Sequence, residues 1–348
     1  MPNTIQCATR RHACGISTAA VPGRPRFWAC LVLWVLALGG LGGCQHLQTP
    51  DPASPPLLYQ PQASGTAPDL VLRWAPAFLV YNPGQAYNRI GRPRAGLDTQ
   101  GWERVEVDPD QPAIYHQETS FRTDRGAYAN LVFRVHFAAT PWSLLPFFIG
   151  SGQSMGLLVV LTLDSAGRPL LVTTLGTCGC YVASLPTDLL PPEALPADWS
   201  GRPLEVYGER LPARLDLGGL KNPRLVVTIR PGEHRVMDLA FREDGRLGTN
   251  RRQTPLAPDS DLERLPLPDG RVTSFFHQGG PLKGHVKGAW KPWETILLGI
   301  ISLDGLVGMD KDYGPTGNPF YTSLKPWARQ DSDLWDFPRF LKYWGWRL

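Results

Sequence analysis

The chain has 348 residues, of which 35 are lysine or arginine and 31 are aspartate or glutamate, so its formal charge is +4. Four of the arginines lie in the first 43 residues, where there is no acid, and the rest of the chain is therefore neutral. A neutral chain has no surplus of cations to neutralise phosphates, which argues against nucleic acid as a partner. Its 36 glycines and 35 prolines exceed average usage and favour short strands and turns over a helical bundle.

A 17-residue apolar run, from residue 27 to residue 43, follows these arginines and stops at a cysteine. The residues at its end are Leu41, Gly42, Gly43 and Cys44. This order of basic charge, apolar run, small residues and cysteine resembles the signal peptide of bacterial lipoproteins. The resemblance covers the signal alone, about an eighth of the chain. It implies cleavage after Gly43 and attachment of membrane lipid to the thiol of Cys44 through acyl chains.

Two other interpretations of this segment are open. Its apolar length approaches the minimum of about 17 residues for an uncleaved membrane span. Arg10 and Arg11 form a twin-arginine pair, although the apolar and basic residues expected after such a pair are missing. Gln45 stands in place of the aspartate that, in lipoproteins, tends to retain the protein at the inner membrane. For a bacterium with two membranes, the resemblance therefore implies a lipid-anchored protein of the outer membrane that faces the periplasm.

Residues 44–69 are dense in proline, with six prolines from Pro50 to Pro68. Such sequences favour extended, polyproline-like conformations. We therefore divide the sequence into a signal peptide at 1–43, a lipidated tether at 44–69 that forms neither helix nor sheet, and a single β-rich globular domain at 70–348.

Short runs typical of β-strands dominate from residue 102 onward. Between residues 131 and 137, apolar residues alternate with a less apolar set that includes Arg134 and His136, which predicts a half-buried strand. Residues 157–163 and 170–175 are apolar at nearly every position and flank a turn-rich segment, which predicts a hairpin of central strands covered on both faces. Further β-type runs lie at 105–107, 114–116, 225–229 and 235–241, the last two as another hairpin.

Helix signals come late in the chain. Residues 293–309 place Ile296, Ile300, Leu303 and Val307 on one stripe. We interpret this stripe as the buried face of a core helix, because the apolar segment is too short and too polar for a membrane span. Residues 331–344, which begin with a cluster of capping residues, predict a second helix. The aromatic-rich segment around it either seals the core, which we favour, or lines a binding surface for sugars, peptides or quinone-like rings. Many strands followed by two C-terminal helices predict an α+β fold, β-rich and mostly antiparallel.

Two cysteines of the body lie close together, Cys178 and Cys180. In an exported protein such a pair could form a disulfide, since Gly179 would let the backbone turn inward, or act in thiol redox chemistry. It could instead bind zinc or copper(I) through both thiolates and an imidazole, with His136 and His116 as the candidates. A pair of unbonded structural thiols is the remaining alternative.

The segment Gly152-Gln153-Ser154-Met155-Gly156 matches the G-x-S-x-G motif of a serine hydrolase. That motif needs a strand before the serine and a helix after it. Ser154 is instead followed by a run typical of a strand, so the glycines are better interpreted as a turn that leads into that strand.

Together these features predict a non-enzymatic lipoprotein of the cell envelope, with no cofactor, that binds or scaffolds another envelope protein or a ligand. The alternative is a metal-binding or thiol-redox protein centred on Cys178 and Cys180, with zinc or copper as its metal. A serine hydrolase that uses Ser154 ranks third.

Overall fold

The computed structural model describes residues 46–63, 67–144, 147–248, 250–311 and 318–348. Strands account for 40% of the structure and helices for 14%, so the predicted β-rich α+β class is confirmed. Two of the three helices lie near the C-terminus, as predicted. The segment with the predicted signal peptide and Cys44 lies outside the described residues.

The strands are short except in the middle of the chain. In chain order they are β1 (Leu57–Gln62), β2 (Ala77–Val80), β3 (Arg92–Leu97), β4 (Glu103–Asp108), β5 (Ile114–Thr123), β6 (Gly126–Thr140), β7 (Gly152–Leu163), β8 (Pro169–Gly176), β9 (Ala183–Pro186), β10 (Leu204–Val206), β11 (Glu209–Leu211), β12 (Pro223–Ile229), β13 (Val236–Glu243), β14 (Arg251–Pro258), β15 (Leu265–Pro266) and β16 (Val272–Thr273). The helices are α1 (Asp69–Trp74), α2 (Pro292–Ser302) and α3 (Phe337–Tyr343).

Ten of these strands form one mixed sheet, in the order β13-β12-β2-β1-β14-β5-β6-β7-β8-β9. Six of its neighbouring pairs are antiparallel. Three are parallel, namely β1 with β14, β12 with β2 and β14 with β5. Short two-stranded sheets pair β3 with β4, β10 with β11 and β15 with β16.

Strands β7 and β8 are buried at nearly every residue, which confirms the predicted hairpin of central strands. A continuous apolar run suits a strand with a packed layer on each face. The second predicted hairpin is also confirmed, as β12 and β13.

The prediction that β6 is only half-buried is wrong, because a second layer covers its less apolar face. Arg134 and His136 on that face are 1% and 0% exposed. The guanidinium carbon of Arg134 lies 4.9 Å from the ring centroid of Phe276, and the His136 ring lies 4.9 Å from that of Phe275. This covering segment comes from far along the chain, so the local alternation gives no sign of it.

The prediction that residues 44–69 form neither helix nor sheet is wrong for the described part of that range. Strand β1 lies inside the large sheet, with β2 on one side and β14 on the other. Its Tyr59 is fully buried. Pro61 pairs in register with Thr254 of β14. Polyproline and β conformations are neighbours in backbone dihedral space, so a proline-dense segment can join a sheet when its apolar side chains find a core.

The two C-terminal helices are shorter than predicted. Helix α2 ends at Ser302 because Leu303 takes a left-handed conformation with φ of 52°. Helix α3 begins at Phe337, and the side chain of Asp336 accepts a hydrogen bond from the backbone N–H of Arg339. The aromatic segment around α3 does pack into a core, through Phe320, Phe337, Phe340 and Trp346.

Strand β6 runs between two edges of the sheet that lie far apart. Its 15 residues span roughly 50 Å at about 3.4 Å per residue. We call the end at Thr140 the pocket end and the end at Gly126 the far end. Helix α2 begins at the pocket end, because Trp290, two residues before it, pairs with Gln153 near the start of β7.

Candidate functional site

A shallow pocket at the pocket end of the sheet collects the charged and sulfur-bearing side chains of that region. The chain reaches it from the start and end of the β7–β8 hairpin, from the β12–β13 turn and from the residue that precedes α2. Its lining residues are Met155, Gly156, Leu157, Gly176, Cys178, Cys180, Tyr181, Glu233, His234, Arg235, Val236 and Lys291. We call it the disulfide pocket.

Cys178 and Cys180 are joined by a disulfide, with their Cα atoms 5.5 Å apart. The backbone closes this small ring through Gly179, whose φ is +85°. A β-carbon at Gly179 would lie 2.3 Å from the carbonyl oxygen of Tyr321, so only glycine fits there. Cys178 is buried and Cys180 is partly exposed. Of the two cysteines, Cys180 is therefore the more accessible residue from solvent.

Glu294 in the first turn of α2 lies beside the disulfide. One of its carboxylate oxygens and the two sulfurs all lie within 4.8 Å of one another. Burial raises the pKa of this carboxyl, and the nearby Lys291 ammonium, 4.0 Å away, opposes the rise. Gly308 packs directly on the carboxylate, where a β-carbon would lie within 2.8 Å of it. Glu294 is thus a buried acid placed against a disulfide.

Lys291 and Asp310 form a buried ion pair behind Glu294, with 3.2 Å between the ammonium nitrogen and the carboxylate oxygen. The Thr177 hydroxyl donates a hydrogen bond to the other oxygen of Asp310. Thr177 directly precedes Cys178, so this network ties the disulfide segment to α2. Burying such a pair is favourable only when hydrogen bonds complete it, as they do here.

A second charged network closes the other side of the pocket. Arg230 donates two hydrogen bonds to the carboxylate of Glu209, and Arg235 donates to Glu209 at 3.1 Å. Arg235 also lies 2.9 Å from Glu233 and donates to Nδ1 of His46 at 2.8 Å. His46, Glu209 and Glu233 bring three potential metal ligands together. Two guanidinium groups already neutralise these carboxylates, so the cluster is an ion-pair network rather than a cation site.

The structure does not bring His136 or His116 to the cysteines. His136 packs between Tyr115 of β5 and Phe275 of the covering layer. His116 pairs with Phe133 and Pro258 within the sheet. Among the described residues, the ligand group at the sulfurs contains Glu294 and no histidine. The expected zinc or copper site completed by either imidazole is not assembled, because both side chains serve the packing of the sheet.

The histidine that does line the pocket is His234, which the sequence analysis did not single out. Its ring stacks on Phe137 at 4.2 Å, and its Nδ1 lies 3.3 Å from the Thr140 hydroxyl. Burial lowers the pKa of His234 to about 3, so the imidazole is neutral at physiological pH. A neutral, stacked ring here fixes the end of β6 against the β12–β13 turn.

Ser154 lies inside strand β7, nearly buried and with φ of 56°. The strand continues for nine residues beyond it. A hydrolase elbow requires a helix at that point, so the structure gives Ser154 the strand context that the sequence predicts.

Sequence reasoning also missed Glu294, Lys291 and Asp310. An acid in the first turn of a helix is ordinarily explained by the helix dipole, and a lone lysine by solvent exposure. The signal that all three are buried together exists only in the tertiary structure.

In the part of the chain that the structure describes, no helix is both long and apolar enough to cross a membrane. Comparison of the chain with protein-family models, curated proteins and solved structures finds no match.

Proposed function

We propose that this protein is a lipoprotein of the bacterial cell envelope, anchored by acyl chains on Cys44, with a non-enzymatic body that binds or scaffolds another envelope component. The Leu41-Gly42-Gly43-Cys44 sequence supports the anchor. An outer-membrane location facing the periplasm follows from Gln45, by the resemblance already described. The partner is an envelope protein or ligand, with no nucleic acid.

The proposal depends on the Leu41-Gly42-Gly43-Cys44 sequence, and the contacts of the next residues indicate which end of the body an anchor there would hold. Two residues after Cys44, the Nδ1 of His46 accepts the hydrogen bond from Arg235, and the Leu47 N–H donates to Glu233 at 2.5 Å. Two residues of chain reach at most about 7 Å. An acylated Cys44 would therefore hold the pocket end of the body at the membrane surface, without a long spacer.

Mass spectrometry of the intact protein, extracted from membranes, tests the anchor. We expect a mature chain that begins at Cys44 and carries the mass of the acyl groups. A Cys44→Ala variant should keep its signal peptide and lose the acyl mass, while a Cys178→Ala/Cys180→Ala variant should be acylated normally. A mature protein that begins elsewhere and fractionates as soluble would contradict the proposal.

A second candidate function, thiol–disulfide exchange, is favoured by the position of the Glu294 carboxylate, one oxygen of which lies within 4.8 Å of both sulfurs. A thiolate of a reducing partner would attack the sulfur of the partly exposed Cys180 and form a mixed disulfide with it, as the Cys178–Cys180 bond breaks. Cys178 leaves as a thiolate that takes up a proton, and the Glu294 carboxyl in its acid form is the proposed donor of that proton. A buried acid with a raised pKa suits this role, because it holds its proton at higher pH than an exposed acid.

The rate of reduction by glutathione at pH 7 tests this alternative. General acid catalysis contributes about 100-fold or more, so Glu294→Gln should slow the reduction by at least about tenfold. Glu193→Gln, at an exposed glutamate, should leave the rate unchanged. Equal rates in all three proteins would show that Glu294 takes no part.

The metal-binding form of the same alternative needs the reduced protein. The two thiolates and Glu294 could then supply three ligands to zinc or copper(I). Metal analysis of anaerobically reduced protein, with Cys178→Ser/Cys180→Ser as the control, should show one bound metal that the variant lacks. The same metal content in both would exclude the site.

A further inference from the structure

Helix α2 has its apolar side facing outward. Ile296, Ile300 and Ile301 are 57%, 79% and 65% exposed, whereas the polar Glu294 and Ser302 are buried. The prediction that the apolar stripe packs into the core is therefore wrong for Ile296, Ile300 and Leu303, whereas Val307, the fourth member of the stripe, is buried. The inward side of α2 packs on the Lys291–Asp310 ion pair and on the hydrogen bonds at the disulfide pocket. The aliphatic side chains of the helix therefore lie on its outward side.

The exposed side chains of α2 continue into neighbouring loops. Trp290 packs on Trp142, with 5.9 Å between their ring centroids. Arg329, two residues after Trp327, donates to the carbonyl oxygens of Ser302 and Leu303 and so ties the loop that carries Trp327 to the end of the helix. We call the whole set the apolar surface: Trp142, Leu144, Trp290, Ile296, Leu297, Ile300, Ile301, Leu303 and Trp327, all exposed.

A group of exposed large apolar side chains around one helix is typical of an interaction site. Its composition resembles that of helices that lie in the plane of a membrane, with aliphatic residues in the centre and tryptophans beside them. At about 1.5 Å per residue, the 11 residues of α2 measure about 16 Å, which is half the thickness of a bilayer core. Such a helix can lie within the interface and cannot cross it.

The residues that follow Cys44 indicate what contacts the apolar surface. His46, two residues after Cys44, lies on Arg235, and the guanidinium carbon of Arg235 lies 5.8 Å from the ring centroid of Tyr181. Tyr181 follows the disulfide, and a carboxylate oxygen of Glu294 in α2 lies within 4.8 Å of both sulfurs. The point where the lipid would be attached and the start of the apolar surface are therefore at the same end of the sheet. Arg329 at the border of this surface is paired with Asp304 at 3.8 Å, so the contact with lipid is proposed for the apolar side chains alone.

We propose that the apolar surface inserts into the headgroup region of the same bilayer that holds the acyl chains of Cys44, so that the protein lies against the membrane at its pocket end. The choice of a bilayer as occupant rests on the proposed acylation of Cys44. Together, the acyl chains and α2 give two membrane contacts, which fix the orientation of the body as well as its location.

Spin labels on the mature protein, extracted from membranes and placed in vesicles of phosphatidylethanolamine and phosphatidylglycerol at 3:1, test this proposal. One label is placed on Ile300→Cys in the apolar surface and the other on Asp124→Cys, in the β5–β6 turn at the far end. Both sites are exposed, so neither variant threatens folding. We expect the label at position 300 to be at least about fivefold less accessible to a water-soluble nickel chelate than the label at position 124, yet more accessible to oxygen.

A matched pair of substitutions adds a second measurement. With a label on Leu297→Cys, the Ile300→Asp/Ile301→Asp variant should raise accessibility to the chelate severalfold, because two buried charges would lift the helix out of the lipid. Leu189→Asp, at an exposed leucine beside the end of β9, should leave it unchanged.

Two results would overturn the proposal. Equal access of the chelate to positions 300 and 124 would show that the apolar surface faces water. Protection of position 300 from both chelate and oxygen would show that a protein, a second copy of this chain included, covers the surface. Intact mass of the same samples reports acylation separately: lipid contact at position 300 without acylated Cys44 would refute the anchor alone, and acylated Cys44 with a water-exposed position 300 would refute the insertion alone.

Discussion

Lys311 places an ammonium group in the interior, and the stability of the fold should therefore depend on pH. Its side chain is 7% exposed, and the nitrogen lies 3.4 Å from the ring centroid of Tyr321 without a hydrogen-bond acceptor among the described residues. Burial lowers the pKa of Lys311 to about 7, although the Asp304 carboxylate opposes this shift. In the unfolded chain the same group has its ordinary pKa of 10.5.

Between pH 7 and pH 10.5 the unfolded state thus binds a proton that the native state does not. The free energy of unfolding must then rise with pH through this window, by up to about 1.4 kcal/mol per pH unit. Because Lys311 is already half protonated at pH 7 in the native state, the gain from pH 7 to pH 9 is about 2 kcal/mol. The Tyr321 ring attracts the ammonium and offsets part of the burial, so this value is an upper bound.

Urea unfolding at pH 7, 8 and 9, followed by tryptophan fluorescence, measures this gain. Lys311→Met removes the group, so the variant should be more stable than the natural protein at pH 7, and the difference should shrink by about 1–2 kcal/mol at pH 9. Lys283→Met, at an exposed lysine, should track the natural protein at every pH. If Lys311→Met shows the same pH dependence as the natural protein, the ammonium is not desolvated in the fold and the reasoning fails.

Three further substitutions probe the fold, each through the free energy of unfolding in urea. Gly179→Ala should destabilise the fold by more than about 2 kcal/mol, because the new β-carbon meets a carbonyl oxygen. Gly101→Ala, at a similar φ with open space around it, should cost about 1 kcal/mol. Equal losses in the two variants would contradict the close contact at Gly179. Tyr59→Ala should cost about 3–5 kcal/mol, since β1 belongs to the core, and a loss below about 0.5 kcal/mol would show that it does not. Cys178→Ser/Cys180→Ser should cost only about 1–2 kcal/mol, because a disulfide that closes so short a loop restricts the unfolded chain little; complete unfolding would contradict this.

Local periodicity predicted the strands whose partners lie nearby in sequence. The β7–β8 hairpin is an apolar run, a turn and a second apolar run, and all the information for that pairing lies within about 20 residues. The alternation of apolar and polar residues also predicted strand β6, but it did not predict the layer that covers the polar face of that strand. Whether the face with Arg134 meets solvent or protein depends on Phe275 and Phe276, which no local pattern connects to it.

The prediction that the isoleucine stripe of α2 is buried was wrong for a related physical reason. A stripe of isoleucines predicts burial only if the opposite face is free to meet solvent, and here that face carries Glu294 against the disulfide. For the candidate site, the sequence identified Cys178 and Cys180 and the glycine between them. It could not identify the carboxyl beside the sulfurs, because Glu294 reaches them from an element more than 100 residues later.

The pairing of β1 limits the order in which the strands can form while the chain is synthesised from its N-terminus. Its parallel partner is β14, where Leu58 pairs with Arg251, so β1 has to wait for nearly three quarters of the chain before that ladder can form. The antiparallel run from β5 to β9, by contrast, is complete by Pro186 and needs only neighbours in sequence. We expect this run to form first, with the N-terminal strand held open until β14 arrives, since contacts between distant segments carry the larger entropic cost. A chain that ends before β14 would keep a folded half beside an exposed, unpaired edge, which is the condition that favours aggregation.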